Sequence, residues 1–284
     1  MRKSEVSKII VNELKTKIFS LDEKSKGWDH KVFIANTERG KFVIRIPIKD
    51  KNKIKLQAWV CKKWKQLGVA VPEPLIIRKS YIIETYIDGN DLSTTQLTMK
   101  QKYNFFMALG KQLKKMHSVK TKNFGYFKKE MVGKYSNWHS FIGEDFLRNI
   151  ELCLKKNRIN KNWANKLMKY YQENKDYLKK FNKPKLLHAD LSKDNLMVKN
   201  GGFSGIIDAA DALSGDPLYD IGGIFYEFQD KKSIDIIEKT YGTVDRKLVK
   251  FYALTGKVWL LSVLKNKEAD KIKHKLNVLD RIKI

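Results

Sequence analysis

The sequence predicts an α+β chain with two lobes, a small N-terminal lobe built on a β-sheet and a larger, mainly helical C-terminal lobe. Three observations support this prediction. Short strand-like runs are concentrated in the first third of the chain, helical patterns dominate the remainder, and the turn Asp88-Gly89-Asn90 separates the two regions. We therefore place the lobes at residues 1–87 and 88–284.

The N-terminal lobe is predicted from a change of hydrophobic period along the chain. Helical spacing gives way to β-hairpin alternation around the turn residues 37–40, returns, stops at a glycine and is followed by two short apolar runs. The predicted elements are a helix over residues 4–19, a hairpin with strands Val32–Ile34 and Phe42–Ile44, a helix from Ile54 to Leu67 that stops at Gly68, and strands Leu75–Ile77 and Tyr81–Glu84.

The C-terminal lobe is predicted to be helical apart from one strand-rich segment, residues 185–208, which contains the turn Asn200-Gly201-Gly202. The predicted helices are Gln101–His117, Leu147–Leu154, Trp163–Phe181 and further helices from Tyr219 nearly to the end. The predicted strands are Leu186-Leu187, Leu196–Val198 and Ile206-Ile207.

Length and composition exclude several classes of protein. With 284 residues, 42% of them hydrophobic, the chain is long enough to bury two cores. No apolar run reaches the ~18 residues of a membrane span, and we expect neither a membrane association nor a secretory signal. Cys61 and Cys153 are the only cysteines, which favours a reducing, cytoplasmic location and offers no metal-binding spacing.

The net charge is the unusual bulk property. Lysine and arginine total 58 against 31 acidic residues, which gives a formal charge of +27. Such an excess attracts polyanions, so nucleic-acid binding is an alternative. We do not favour it, because the lysines are spread along the chain as pairs such as Lys62-Lys63 and Lys114-Lys115 instead of forming one block.

The chemistry is indicated by two neighbouring motifs. His188-Ala-Asp190-Leu-Ser-Lys-Asp-Asn195 reads as H-x-D-L-x-x-x-N, and Gly205-Ile-Ile-Asp208 follows it. Phosphoryl transfer from a nucleotide requires a carboxylate facing the acceptor hydroxyl and oxygen ligands that hold Mg²⁺ against the phosphates. We assign Asp190 as the catalytic base, and Asn195 and Asp208 as the metal ligands. The intervening glycine-turn hairpin is expected to return both ligands to the same end of adjacent strands.

These motifs and their order resemble the aminoglycoside phosphotransferase family of small-molecule kinases. Gly215-Asp-Pro-Leu-Tyr-Asp220 is similar to that family's G-D-P-x-Y-D element, Leu113-Lys-Lys-Met-His117 to its L-x-x-L-H helix end, and Tyr86-Ile-Asp-Gly89 to its hinge. Gly27 to Phe33 and Val43 to Pro47 look most like the macrolide phosphotransferase branch. The resemblance implies a two-lobed protein-kinase-like fold that binds ATP or GTP together with Mg²⁺.

The resemblance also implies roles for individual residues. His188, Asp216 and Asp220 would support the catalytic loop, although a plain helix N-cap is a serious rival explanation for Asp220. The segment Glu84 to Ile87, with Tyr86, would read the purine through backbone groups, and the apolar Ile207 would contact the ring. Gly27 is the only glycine of the expected phosphate-binding turn.

Arg45 stands where the family usually has a lysine on the phosphates, and arginine can clamp phosphate with two hydrogen bonds. The helix glutamate that usually pairs with this cation is replaced by Gln57. That departure leads us to expect weaker positioning of the cation.

The function expected from these residues is transfer of the γ-phosphate of ATP or GTP to a hydroxyl of a small molecule, with an antibiotic of the aminoglycoside or macrolide type as the favoured acceptor. The N-terminal lobe would bind the nucleotide, and the C-terminal lobe would carry the catalytic loop and acceptor site. Two alternatives stay open. One is a kinase of a metabolite such as choline or a sugar, and the other is a catalytically weak kinase-like protein that binds nucleic acid.

Overall fold

The computed structural model describes residues 1–24, 30–48 and 52–264. The chain divides into two compact units. The first unit comprises Met1–Thr95 together with Asp194–Asn200 and Ser204–Asp211, and the second comprises Gln96–Lys193, Gly201–Phe203 and the chain from Ala212 onward. The assignment of nucleotide binding to residues 1–87 and of the acceptor site to 88–284 stays a prediction.

Helices and strands alternate along most of the chain. The first five are α1 (Lys3–Leu14), β1 (Ile18–Lys24), β2 (His30–Thr37), β3 (Gly40–Pro47) and α2 (Asn52–Gln66). Then come β4 (Pro74–Ile77), β5 (Ile82–Thr85), β6 (Asn90–Asp91), α3 (Met99–Met116), β7 (Phe124–Lys129), β8 (Val132–Tyr135), α4 (Trp138–Lys155) and α5 (Lys161–Lys180). The last are β9 (Lys185–Leu187), β10 (Leu196–Lys199), β11 (Gly202–Ile206), β12 (Leu213–Gly215), α6 (Leu218–Phe228), α7 (Lys231–Tyr241) and α8 (Arg246–Val263).

The first unit is built on a five-stranded antiparallel sheet of order β1-β2-β3-β5-β4. Its strands present two different faces because side chains alternate along a strand. Ile44 and Ile83 belong to one face, in a core cluster with Val6 and Ile10 of α1. Ile82 belongs to the other face and packs against α2. The predicted hairpin, the second helix and the two following strands are confirmed.

The predicted opening helix over residues 4–19 is wrong at its C-terminal end. Helix α1 stops at Leu14, because its C-cap Lys15 adopts a left-handed backbone with φ of 49°. Ile18, whose spacing fitted a helix, instead begins β1, which pairs with β2. The sheet therefore has an edge strand that the hydrophobic pattern did not reveal.

The second unit is mainly helical, as predicted, and its helices α3 and α5 lie close to their predicted bounds. Helix α4 starts at Trp138, nine residues before the predicted Leu147, with Asn137 accepting a hydrogen bond from the Ser140 amide as its N-cap. The β7–β8 hairpin was not predicted. It joins a four-stranded sheet of order β8-β7-β12-β9.

A small sheet of order β11-β10-β6 positions the second half of the motif. Asn195 immediately precedes β10, and Asp208 follows the end of β11 at Ile206. The turn between these strands uses Asn200 and Gly201, both with positive φ. The predicted strand at Ile206-Ile207 is therefore the end of a longer strand, Gly202–Ile206.

Within residues 1–24, 30–48 and 52–264, no helix has the length and hydropathy needed to span a bilayer.

Candidate active site

The segment that follows β9 in the second unit is held in place by a buried carboxylate. Asp220, in the first turn of α6, accepts hydrogen bonds from the backbone amides of His188 (2.9 Å) and Ala189 (2.8 Å). Ala189 has a left-handed backbone with φ of 65°, a conformation that is unfavourable for a residue with a Cβ. Asp220 therefore stabilises an unusual backbone turn directly before Asp190, which is half-buried.

A histidine on each side completes this support. His117, the C-cap of α3, places Nε2 3.0 Å from Oδ2 of Asp220 and Nδ1 2.9 Å from the Tyr241 hydroxyl. His188 is fully buried, and its Nδ1 accepts a hydrogen bond of 3.3 Å from the Asp190 amide. Burial raises the pKa of Asp220, but the hydrogen bonds and charges of the histidines outweigh it, and the net shift is downward. Asp220 is thus stabilised as a carboxylate.

Asp216 is a second buried carboxylate of the same unit. The hydroxyls of Tyr177 and Tyr252 each donate to Oδ2 at 2.8 Å, and the Leu218 amide donates to Oδ1 at 3.0 Å. Burial raises the pKa of Asp216 above its ordinary value, and these hydrogen bonds oppose the rise. Since Tyr177 lies on α5 and Tyr252 on α8, Asp216 ties two helices to the segment between β12 and α6.

Asn195 and Asp208 lie in the first unit and are brought together by the turn between β10 and β11. The Ile207 amide donates a hydrogen bond of 3.0 Å to the Asn195 carbonyl, so the residues that flank the two strands lie side by side. Asn195 is buried, whereas the Asp208 side chain is 37% exposed. Asp208 also has a left-handed backbone, with φ of 65°.

A buried cation stands beside Asp208. Arg45, on β3, places Nη1 3.4 Å from Oδ2 of Asp208 and donates from Nε to Oε1 of Glu84 at 2.6 Å. The other oxygen of Glu84 accepts a hydrogen bond of 3.1 Å from the side-chain amide of Gln57. Arg45, Glu84 and Gln57 are at most 5% exposed. The arrangement is a buried network that leads from α2 through the sheet to Asp208.

The charges of this network reinforce one another. Burial lowers the pKa of Arg45, but the carboxylates of Glu84 and Asp208 more than compensate, so the guanidinium is held in its charged form. Burial raises the pKa of Glu84, and Arg45 and the Gln57 amide oppose that rise. With a permanently charged guanidinium 2.6 Å away, the pair is a charge-assisted hydrogen bond in a site with little water.

The structure corrects the expectation about Gln57. The sequence suggested that losing the helix glutamate leaves Arg45 poorly positioned, whereas the carboxylate partner of Arg45 comes from β5 instead of from α2. The side chain of Glu84 was missed because only its backbone was considered. A signal was present, since Arg45 and Glu84 each interrupt an apolar strand, and a buried charge requires a partner of opposite sign.

The remaining predicted nucleotide-contacting residues also lie in the first unit. Tyr86 and Ile87 follow β5 and are half-buried, and Ile207 is likewise half-buried beyond the end of β11. The Tyr86 ring lies 5.4 Å from the Lys41 ammonium. Gly27, predicted in the phosphate-binding turn, falls outside the described residues.

The residues present fit Mg²⁺ in a particular way. Among the residues that the structure describes, no cluster of three or more histidine, cysteine, aspartate or glutamate side chains is arranged to bind a metal ion. Mg²⁺ typically takes only one or two protein carboxylates and completes its shell with phosphate oxygens and water. One partly exposed carboxylate, Asp208, beside one amide, Asn195, matches that pattern.

The acidic residues considered for a cationic acceptor are partly engaged elsewhere. Asp230 caps α7 and binds the Lys102 ammonium at 2.9 Å, and Asp145 pairs with Arg148. Of the aromatic residues considered for an apolar acceptor, Trp138 is fully buried in the core, whereas Trp259 is 47% exposed.

Comparison with known proteins identifies the family. The family model described as the phosphotransferase enzyme family, APH, matches residues 22–248. No curated protein sequence matches the chain.

Solved structures share the fold at low sequence identity. A thermostable mutant of aminoglycoside phosphotransferase APH(4)-Ia, in a ternary complex with AMP-PNP and hygromycin B, is 18% identical with a TM-score of 0.73, and the match covers 98% of each chain. The GDP complex of an aminoglycoside 2'-phosphotransferase-IIIa mutant is 17% identical with a TM-score of 0.71, over 98% of this chain and 96% of that one.

The gentamicin complex of APH(2'')-IIa is 18% identical with a TM-score of 0.65, over 100% of this chain and 97% of that one. The predicted α+β fold, with an N-terminal antiparallel sheet and a helical C-terminal part, is thereby confirmed as that of aminoglycoside phosphotransferases. Because the family model matches most of the sequence, the chain belongs to the phosphotransferase enzyme family.

Proposed function

We propose that the protein transfers the γ-phosphate of ATP or GTP to a hydroxyl of a small molecule, with an antibiotic of the aminoglycoside or macrolide type as the acceptor. One observation supports the nucleotide part most directly. The guanidinium of Arg45 and the carboxylate of Asp208 lie 3.4 Å apart at the end of the sheet, so a cation suited to phosphate adjoins an anion suited to a metal.

In the proposed reaction, Asp190 orients the acceptor hydroxyl and accepts its proton as the new O–P bond forms and the bond to the β-phosphate breaks. The Asp220 carboxylate and the His188 ring hold the backbone on both sides of Asp190, so this carboxylate is placed before the acceptor arrives. Arg45 binds phosphate oxygens, and backbone groups of Glu84, Tyr86 and Ile87 contact the purine, with Ile207 against the ring. Asp216 supports the same segment.

Asn195 and Asp208 would hold Mg²⁺. When bound, the ion would neutralise charge on the phosphates during transfer. The nucleotide is supported by the family assignment, and relatives of the same fold are complexes with AMP-PNP and with GDP, so both purines remain in the proposal. Two buried free cysteines are consistent with a cytoplasmic enzyme.

The acceptor is proposed from relatives and from surface charge. Related structures are complexes with hygromycin B and with gentamicin. In this chain, Asp145 and Asp230 are bound to cationic side chains, which leaves fewer carboxylates for a polycation. A macrolide sugar, with fewer positive charges, is therefore included as an acceptor.

A resistance panel tests this proposal. The chain is expressed in a sensitive bacterium and challenged with aminoglycosides, hygromycin B and macrolides, with Asp190→Ala as the control. We expect the wild type to raise the inhibitory concentration of at least one class and Asp190→Ala to raise none. Protection by both proteins would contradict a role for Asp190. No protection, combined with phosphorylation of choline or a sugar in vitro, would favour a metabolite kinase.

A further inference from the structure

The charged network around Arg45 uses an unusual source for its carboxylate. Val43 pairs with Glu84 and Arg45 pairs with Ile82 in the β3–β5 register. Because side chains alternate along strands, Arg45 and Glu84 are diagonal neighbours on one sheet face. Ile82 belongs to that same face and packs against Ile54 and Ala58 of α2. The face that bears Arg45 is therefore the face covered by α2.

Gln57 reaches this face from the helix. It lies three residues after Ile54 and one before Ala58, so it shares the buried side of α2 with them. Its amide nitrogen donates to Glu84, while its Oε1 is buried and has no hydrogen-bond partner. A glutamate at position 57 would place a second carboxylate against Glu84 at about the same distance, which is unfavourable for two buried like charges.

We propose that Glu84 is the positioning residue for the phosphate-binding arginine and that Gln57 is its matched partner. The carboxylate has moved from the helix to strand β5, and an amide in the helix completes the hydrogen bonding. Glu84 binds Nε of Arg45, and Nη1 of the same guanidinium is directed toward Asp208. Glu84 thereby fixes the orientation in which the terminal nitrogens face the metal-binding carboxylate.

The geometry explains why an arginine stands on β3. A lysine has one terminal nitrogen and cannot bind Glu84 and remain directed at phosphate in the same way. The guanidinium has separate donors, so Nε is committed to Glu84 while the Nη groups are left for a ligand. Arg45, Gln57 and Glu84 form one unit of function in which a change at any position requires changes at the others.

The inference rests on the proposed nucleotide site, and a carboxylate-exchange experiment tests it. Glu84→Gln removes the carboxylate, Gln57→Glu adds a second one, and the double variant returns a single carboxylate to the helix. Binding of Mg²⁺–AMP-PNP is measured by equilibrium titration, and the unfolding temperature is measured in parallel. We expect Glu84→Gln to weaken nucleotide binding about 10- to 100-fold, as loss of a charge-assisted hydrogen bond implies.

The double variant separates positioning from stability. If Glu84 positions Arg45, the double variant recovers at least part of the nucleotide affinity lost in Glu84→Gln. If Glu84 only stabilises the fold, the affinities of correctly folded variants stay equal to that of the wild type, and the proposal is overturned. Equal affinities for the double variant and Glu84→Gln would also overturn it.

Glu13→Gln is the matched control. Glu13 binds Arg78 through two hydrogen bonds of 2.8 Å, so the same chemical pair is broken, but at an exposed site. We expect it to leave nucleotide affinity unchanged. A wild type that binds nucleotide without transferring phosphate would contradict the proposed function but still test Glu84. A wild type that binds no nucleotide would overturn both.

Discussion

At the scale of single residues, the site depends on side chains that act on other protein groups. Asp220 binds two backbone amides before Asp190, and Glu84 binds the guanidinium that faces Asp208. Each is buried and has both carboxylate oxygens engaged. Such groups lose little entropy when a ligand binds, because their orientation is already set.

Asp208→Asn tests the metal-binding carboxylate. The substitution removes a negative charge while keeping the size of the side chain, so we expect nucleotide binding to lose its dependence on Mg²⁺. The measurement is titration of Mg²⁺ at constant AMP-PNP. A Mg²⁺ dependence equal to that of the wild type would reject the assignment. Asp211→Asn is the matched control, because Asp211 pairs with the Lys53 ammonium at 2.7 Å.

Asp220→Asn tests the buried brace through its pH dependence. The pKa of Asp220 is lower in the folded protein, so its stabilising contribution is fully present above the unfolded pKa of about 4 and is lost as the pH falls through the folded value. The variant leaves one or both backbone amides poorly paired, at a cost of about 1–3 kcal/mol for each.

We therefore expect the difference in unfolding free energy between wild type and Asp220→Asn to be largest near neutral pH and to shrink below about pH 4. Urea denaturation at a series of pH values measures it. A difference that stays constant, or grows as the pH falls, would contradict the account.

At the scale of elements, the strand pairs β3–β5 and β10–β11 place the residues of the first unit. The motif H-x-D-L-x-x-x-N and the glycine turn after it could be recognised in sequence because they are local. The Arg45–Glu84 pair could not, because it depends on the register of two strands separated by α2 and β4. The β7–β8 hairpin escaped prediction because Phe124–Lys129 lacks regular alternation of apolar and polar residues.

Gly89 shows how closely two elements approach. It has φ of +122°, and an added Cβ would lie 2.2 Å from the Val198 carbonyl oxygen on β10. Gly40, with φ of +106°, has nothing within 4 Å of the same position. Both alanine variants strain the backbone by about 1–3 kcal/mol, and Gly89→Ala adds about 1–3 kcal/mol of steric overlap.

We expect Gly89→Ala to destabilise the protein more than Gly40→Ala does. The free energies of unfolding of both variants, measured in urea, give the comparison. Equal losses would show that the approach of β10 to Gly89 contributes nothing.

At the scale of the whole molecule, the net charge of +27 is the property that the proposed reaction does not use. If the charge serves only as a solvated surface, polyanion binding is nonspecific. We expect binding of RNA to weaken by orders of magnitude between about 50 and 200 mM salt and to be equal for wild type and Asp190→Ala. Fluorescence anisotropy with unrelated RNA sequences measures this. Tight binding of one sequence that survives about 200 mM salt would instead favour a nucleic-acid partner.

The most direct test of the central claim is transfer of labelled γ-phosphate by the purified protein to the acceptor found in the resistance panel. We predict that Asp190→Ala slows transfer about 100- to 10,000-fold, as loss of a general base implies, while its affinity for Mg²⁺–AMP-PNP stays close to that of the wild type. A variant that transfers phosphate at the wild-type rate would contradict the assignment of Asp190, and with it the proposed mechanism.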